Sequence, residues 1–143
     1  MTREERNVIQ EGQKGAQMGL TAIQTIEGKV YDDRLMLDLS RQALKYTEYR
    51  ERAKGMLEEA GERTAQVSPI GKGMLKTGIH MNTALNTSTS HVAELVIQGS
   101  NRGITDMCKA MNHNDQAGGY AMELAKELMD FEEKSIERLK QYL

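Results

Sequence analysis

Apolar residues recur along this chain at helical spacing, about 100° per residue, and they do so in four segments. The first, helix A, runs from about Thr2 to Glu27, with Val8, Gly12, Gly15, Gly19, Ile23 and Ile26 on one face. Gly28 marks its stop, and Asp32 or Asp33 caps the next start. Helix B continues to about Ala60 and turns Leu35, Leu39, Gln42, Tyr46, Tyr49, Ala53, Met56 and Leu57 inward; Gly61 closes it. The stretch from Glu62 to Pro69 is the convincing linker and holds the only proline. Helix C begins near Ile70 to Met74 and ends near Met111. Helix D follows the turn and N-cap residues Asn112-His113-Asn114-Asp115 and reaches the C-terminus. Its inward face is Ala121, Leu124, Leu128, Glu132, Ser135, Leu139 and Leu143. Short A–B and C–D links make those pairs antiparallel, while the B–C link, at about a dozen residues, either spans one end or crosses the body. The pattern predicts one all-α domain over residues 1–143, an antiparallel four-helix bundle with a long B–C connection.

Helix C departs from the others. Between Asn82 and Ile104 its only formal charges are Glu94 and Arg102. Leu85, Val92, Leu95, Val96 and Met107 lie on one side, with Ile79, Ala93, Ile97, Ile104 and Cys108 on another. One polar stripe remains, formed by His80, Thr87, His91, Glu94, Gln98 and Thr105. So wide an apolar arc predicts cover on more than one side. Helix B adds an outward pair, Leu37 and Leu44, and together these faces predict a homo-oligomer, most simply a two-fold dimer through helix C and the outer face of helix B. Glycines at Gly15 and Gly19 on A, and at Gly99 and Gly103 on C, share a four-residue spacing. With up-down-up-down connectivity A and C run parallel, both pairs fall at one height, and the backbones are expected to approach closely there.

Composition adds exclusions. Ala, Leu, Met, Glu, Lys, Gln and Arg dominate, with no Trp and one Phe, which suits helices and not strands. A net charge of −2 leaves no basic field for nucleic acid and no polybasic stretch for a membrane surface. No apolar run approaches the ~18 residues of a membrane span, and the N-terminal Met-Thr-Arg-Glu-Glu-Arg-Asn lacks a secretory apolar region, so a cytoplasmic protein is expected. The lone Cys108 forms no intramolecular disulfide, and the ten methionines are taken as core filler.

A four-helix domain raises di-metal carboxylate chemistry, which needs a Glu from each of two helices and Glu-x-x-His from each of the others, because that spacing converges both ligands on one ion. No Glu-x-x-His occurs. Helix C offers the reversed His91-x-x-Glu94, and Glu48 and Glu51 of helix B face away from Tyr46. One fragment fits: Glu132-x-x-Ser135 projects into the apolar face of helix D. At matching height lie Glu11 on A, Arg50 on B, and Ser90, His91 and Glu94 on C. Two arrangements follow: a residual metal or small-ligand site built from Glu11 and Glu132, or a Glu132–Arg50 ion pair whose guanidinium replaces the metal's charge, the second being preferred. The soft set Met107, Cys108, Met111 and His113 diverges around its helix, and no serine has a base within reach. The run Thr87-Ser88-Thr89-Ser90 is expected at most to bend helix C.

The whole-chain layout resembles the ferritin-like superfamily, through four long helices, the linker around Pro69 and the mid-helix carboxylate on D. The segment from Ser88 to Ser100 and the end Phe131-Glu132-Glu133 through Lys140 are similar to small uncharacterised bacterial bundle proteins, which carry no activity over. The expected role is therefore a non-enzymatic structural or interaction protein without cofactor. The alternative implied by the resemblance is a ferritin-like protein or oxidoreductase binding iron or another divalent metal at a degenerate carboxylate site. A third possibility is a chaperone using the Met-rich, wide face of helix C.

Overall fold

Thr2 starts the first helix with a reciprocal cap: its Oγ1 accepts from the Glu5 backbone N–H at 3.1 Å, and Glu5 Oε2 accepts from the Thr2 N–H at 3.0 Å. In the computed structural model, which describes residues 1–143, this helix, α1, spans Arg3–Ile26. A 3-10 turn over Glu27–Lys29 leads to Asp32, whose Oδ1 accepts from Leu35 N–H at 2.8 Å and opens α2, Asp33–Glu59. The close of α2 uses Gly61 at φ +69°, with Glu62 N–H bonding back to Leu57 C=O and Gly61 N–H to Glu58 C=O. That paired return needs a left-handed residue, which only glycine supplies cheaply.

The chain is all-helical, but it has five α-helices where the periodicity predicted four. The expected helix C is two: α3, Pro69–Thr83, and α4, Thr89–His113. The Ser68 hydroxyl accepts from Gly71 N–H and Pro69 takes the first helical position, so the supposed linker end is a helix start. At the other end Asn82 Nδ2 and Thr83 Oγ1 bond back to the carbonyls of Gly78 and Ile79, consuming the last turn's acceptors. Asn86 Oδ1 then accepts from Ser88 N–H, and Ser88 Oγ accepts from His91 N–H at 3.2 Å to begin α4. The serine-threonine run is thus a break and a cap, not a bend, and Leu85, two residues before it, is fully exposed. Ser88→Ala is expected to lower stability by about 1 kcal/mol in chemical denaturation, without loss of helical circular dichroism in the native state.

After α4, Asn114 caps the helix, and α5 starts at Gly119 and runs to Leu139, ending in a 3-10 turn at Lys140–Tyr142 that leaves Leu143 exposed where an inward position was expected. Hydrogen bonds fix the chain directions. Asn7 donates to Asn114, and Gln116 and Tyr120 donate to Glu4 and Glu5, so α1 begins beside the α4–α5 junction. Arg34 and Asp38 of α2 meet Gln141 and Tyr142 past the end of α5. It follows that α1 runs with α5 and against both α2 and α4, not parallel to the expected helix C. The segment after α2 climbs back along α1, with Arg63 C=O and Ala65 N–H held by Gln10 and Gln13, and α3 continues the climb. The B–C connection therefore crosses the length of the body, with α3 inside it.

Two apolar clusters fill the interior. One gathers Val8, Ile9, Leu57, Met107, Leu124 and Leu128; the other gathers Leu20, Ile23, Leu35, Leu39, Val92 and Leu139. Between them lies a polar layer. No helix is long and apolar enough to cross a membrane.

Candidate functional site

The inward stripe of α5 reads Leu124, Leu128, Glu132, Ser135, Ile136 and Leu139, so helical periodicity forces a carboxyl into the middle of an apolar face. Glu132 is 4% exposed. Around it α2 contributes Gln42 and Tyr46, and α4 contributes Ser100 and Gly103, all but the glycine side chains being buried. Gln42 Nε2 donates to Tyr46 Oη at 3.2 Å and to Ser100 Oγ at 3.4 Å. Glu132 Oε2 has no hydrogen-bond partner. Burial pushes the Glu132 carboxyl up to about 7, against the opposing pull of the nearby Tyr46 and Ser100 hydroxyls. Burial and the Glu132 charge raise Tyr46 in turn, which keeps its phenol protonated.

The glycines explain why the carboxyl is reachable. Because α1 and α4 are antiparallel, Gly15 lies level with Gly103, and Gly19 with Gly99. They do not pinch the helices together. A Cβ added at Gly15 or Gly99 would meet nothing within 4 Å. The space is a cavity of about 380 Å³ between α1 and α4, covered by Leu75 and Ile79 of α3, with Glu132 in its lining. Gly19 does a different job, since a methyl there would sit 2.5 Å from the Tyr46 ring. At Gly103 a Cβ would lie 3.4 Å from Glu132 Oε2, so the unpaired oxygen is aimed at the glycine edge of the cavity. A narrower gap beside it is lined by Glu11, Asp106 and Glu132, with Gly15, Gly103, Met107, Leu128 and Met129, and no cationic side chain. Glu11 is half-buried, and desolvation raises its pKa, with Lys14 opposing and Asp106 adding to the rise.

Of the residues expected at the site, Glu11 and Glu132 share this gap. The preferred Glu132–Arg50 pair does not form. Arg50 Nε donates to Glu51 at 3.0 Å and its Nη1 to Gln17 at 3.1 Å, while Tyr46, one turn earlier, takes the place beside Glu132. His91 is also elsewhere. It stands in the first turn of α4, with Nε2 2.8 Å from Asn82 C=O and Nδ1 3.8 Å from Glu94. The register differs because α5 starts at Gly119 rather than at the Asn114–Asp115 turn; counting back from His113 by the distance from Gly119 to Glu132 reaches Ser100. Ser135 is buried but lines the groove between α2 and α5 with Gln42 and Tyr49, outside the cavity. Sequence reasoning placed Gln42 and Tyr46 inward without joining them to Glu132, read Gly103 only as a packing glycine, and missed Ser100 and Asp106. A Gln beneath an aromatic residue on an otherwise apolar stripe was the available signal for the first two.

The donor set does not fit a dinuclear carboxylate centre. At the height of Glu132 α2 presents an amide and a phenol, and α4 a hydroxyl and a glycine, where such a centre takes carboxylates and imidazoles. No three His, Cys, Asp or Glu side chains converge as they would around an ion. Met107 is core, whereas Cys108 is exposed with Sγ 3.4 Å from Met129 Sδ, so the soft-ligand set is dispersed. Comparison with family models, with curated proteins and with solved structures finds no match to the chain.

Proposed function

We propose that the protein is a non-enzymatic, self-associating helical protein of the cytoplasm, a four-helix bundle of ferritin-like type whose crossover carries an extra helix. The connectivity supports the second part of this reading. Helices α1, α2, α4 and α5 run up, down, down and up, joined by one long crossover, which is how ferritin-like bundles are connected. A metal role is not part of the proposal, because the donor set around Glu132 lacks imidazole and convergent carboxylates.

Self-association rests on the outer face of α3. Ile70, Met74, Met81 and Leu85 follow one another at spacings of four, seven and four, a single stripe on the helix and the break after it. All four side chains face solvent, Met74 being the least exposed at 71%. Gly71, Gly73, Thr77 and Gly78 fill the rest of that face, which therefore carries no charge. A two-fold contact sets each patch against its own copy, so an uncharged stripe with glycines meets neither repulsion nor bulk. Leu44, on the outer face of helix B, lines the groove between α2 and α5, away from α3, so the proposed contact uses α3 and not both faces at once.

Analytical ultracentrifugation at micromolar concentration is expected to give the mass of two chains. Met74→Glu combined with Met81→Glu should return it to one chain with helical content unchanged. A wild-type mass of one chain would remove this reading.

A further inference from the structure

The cavity beneath α3 pairs two features that self-association does not use. Its walls are apolar over most of their extent, from Met18 and Ile23 on α1 to Ile79 on α3 and Leu95 and Val96 on α4. One end, by contrast, holds a deeply buried carboxyl whose Oε2 has no hydrogen-bond partner. An orphaned buried acceptor is a deficit that a donor entering the cavity would relieve. The adjoining gap presents Glu11 and Asp106 as well as Glu132 and no cationic side chain, so the preferred donor there is positively charged. Lys14 and Arg102 also line the larger cavity, but Arg102 Nε is bound to Asp106 at 3.1 and 3.2 Å. Gly15 and Gly99 leave open space where any other residue would place a side chain, and a volume of about 380 Å³ falls in the range of small-molecule pockets.

We propose that this cavity binds a small aliphatic amine, its ammonium group donating to Glu132 Oε2 beside Gly103 and its alkyl chain lying between α1, α3 and α4. A bare metal ion would leave the apolar length of the cavity unused and lacks convergent ligands. A fatty acid that placed its carboxylate at Glu132 would set two carboxyl groups together, and one that turned toward Lys14 would leave Glu132 Oε2 unpartnered. Neither objection touches a linear alkylammonium, whose charge and chain match the two ends.

The test is isothermal titration calorimetry of the intact chain at about pH 8, where Glu132 is mostly ionised, with hexylamine, hexanol, hexanoate and Mn²⁺ as separate probes. Hexylamine should bind saturably, hexanol about tenfold more weakly, and hexanoate and Mn²⁺ not at all. Glu132→Gln keeps the shape of the side chain and should weaken hexylamine about tenfold while retaining hexanol binding. Gly99→Leu, which fills the apolar part, should abolish binding of both, with folding of each variant verified by its cooperative melt. Equal affinity for hexylamine in wild type and Glu132→Gln would overturn the proposal. So would hexanol binding as well as hexylamine, or Mn²⁺ binding in its place.

Discussion

Replacing Glu132 by Gln is expected to stabilise the protein by about 3 kcal/mol above about pH 8 and to change little below about pH 4. The carboxyl is held up at about 7 by burial, so the folded protein favours its protonated form. The stability contributed by that proton is fully present below the unfolded pKa, about 4.3, and is lost as the pH rises through about 7. A glutamine keeps the shape and never ionises, which removes this loss. The groups facing Glu132 modulate the effect without reversing it. Lys14 and Glu11 lie on α1, Tyr46 on α2, and Arg102 and Asp106 on α4. Glu11 is itself raised by burial and adds a weaker slope of the same sign, so the variant should retain a shallow decline with pH. Urea denaturation at several pH values measures both. A variant less stable than wild type at alkaline pH would mean that Glu132 has a charged partner.

Gly19→Ala and Gly15→Ala should move stability in opposite directions, although both put the same methyl on the same helix. At Gly19 the new carbon would lie 2.5 Å from the ring of Tyr46, which is buried and packed edge-on to Phe131 with centroids 5.2 Å apart. The Tyr46 ring must shift within the core to admit the methyl, and a loss of about 1–3 kcal/mol is expected. At Gly15 the methyl meets nothing within 4 Å, so only the helix propensity changes, a gain of up to about 1 kcal/mol. Gly99→Ala should behave like Gly15→Ala. Thermal unfolding of the three variants would distinguish a cavity from a packed crossing, since a packed crossing makes all three destabilising.

Local signals in the sequence were strong wherever one helix decides its own fate. The inward stripes of α2 and α5 follow from periodicity alone: Leu35, Leu39, Gln42, Tyr46, Ala53 and Leu57 are buried, as are Leu124, Leu128, Glu132, Ser135 and Leu139. What periodicity does not encode is direction and height. The break between Thr83 and Thr89 was hidden because its flanks continue an apolar pattern, and its capping depends on the side chains of Asn86 and Ser88 choosing the backbone over solvent. Without that break α3 could not lie in the crossover, and α1 and α4 would run parallel instead of antiparallel. The polar layer would move with them. Periodicity alone marks Glu132 as the buried carboxyl, but its neighbours come from a register set by Gly119, a start with no side-chain cap to announce it. The glycines do share a height, but across antiparallel helices and not the parallel ones expected, and whether small residues make a close crossing or a hollow depends on interhelical distance, which no single helix carries.

At mid-height, beside the cavity, the Glu132 carboxyl is held without a hydrogen-bond partner for Oε2. The most direct test of that arrangement is a pH titration of the Glu132 side-chain carboxyl by ¹³C NMR, with the resonance assigned by its disappearance in Glu132→Gln. The structure predicts a midpoint near 7; a midpoint in the ordinary range, about 4.3, would contradict it, since that value requires solvent, a charged partner or hydrogen-bond donors satisfying both carboxylate oxygens at Glu132.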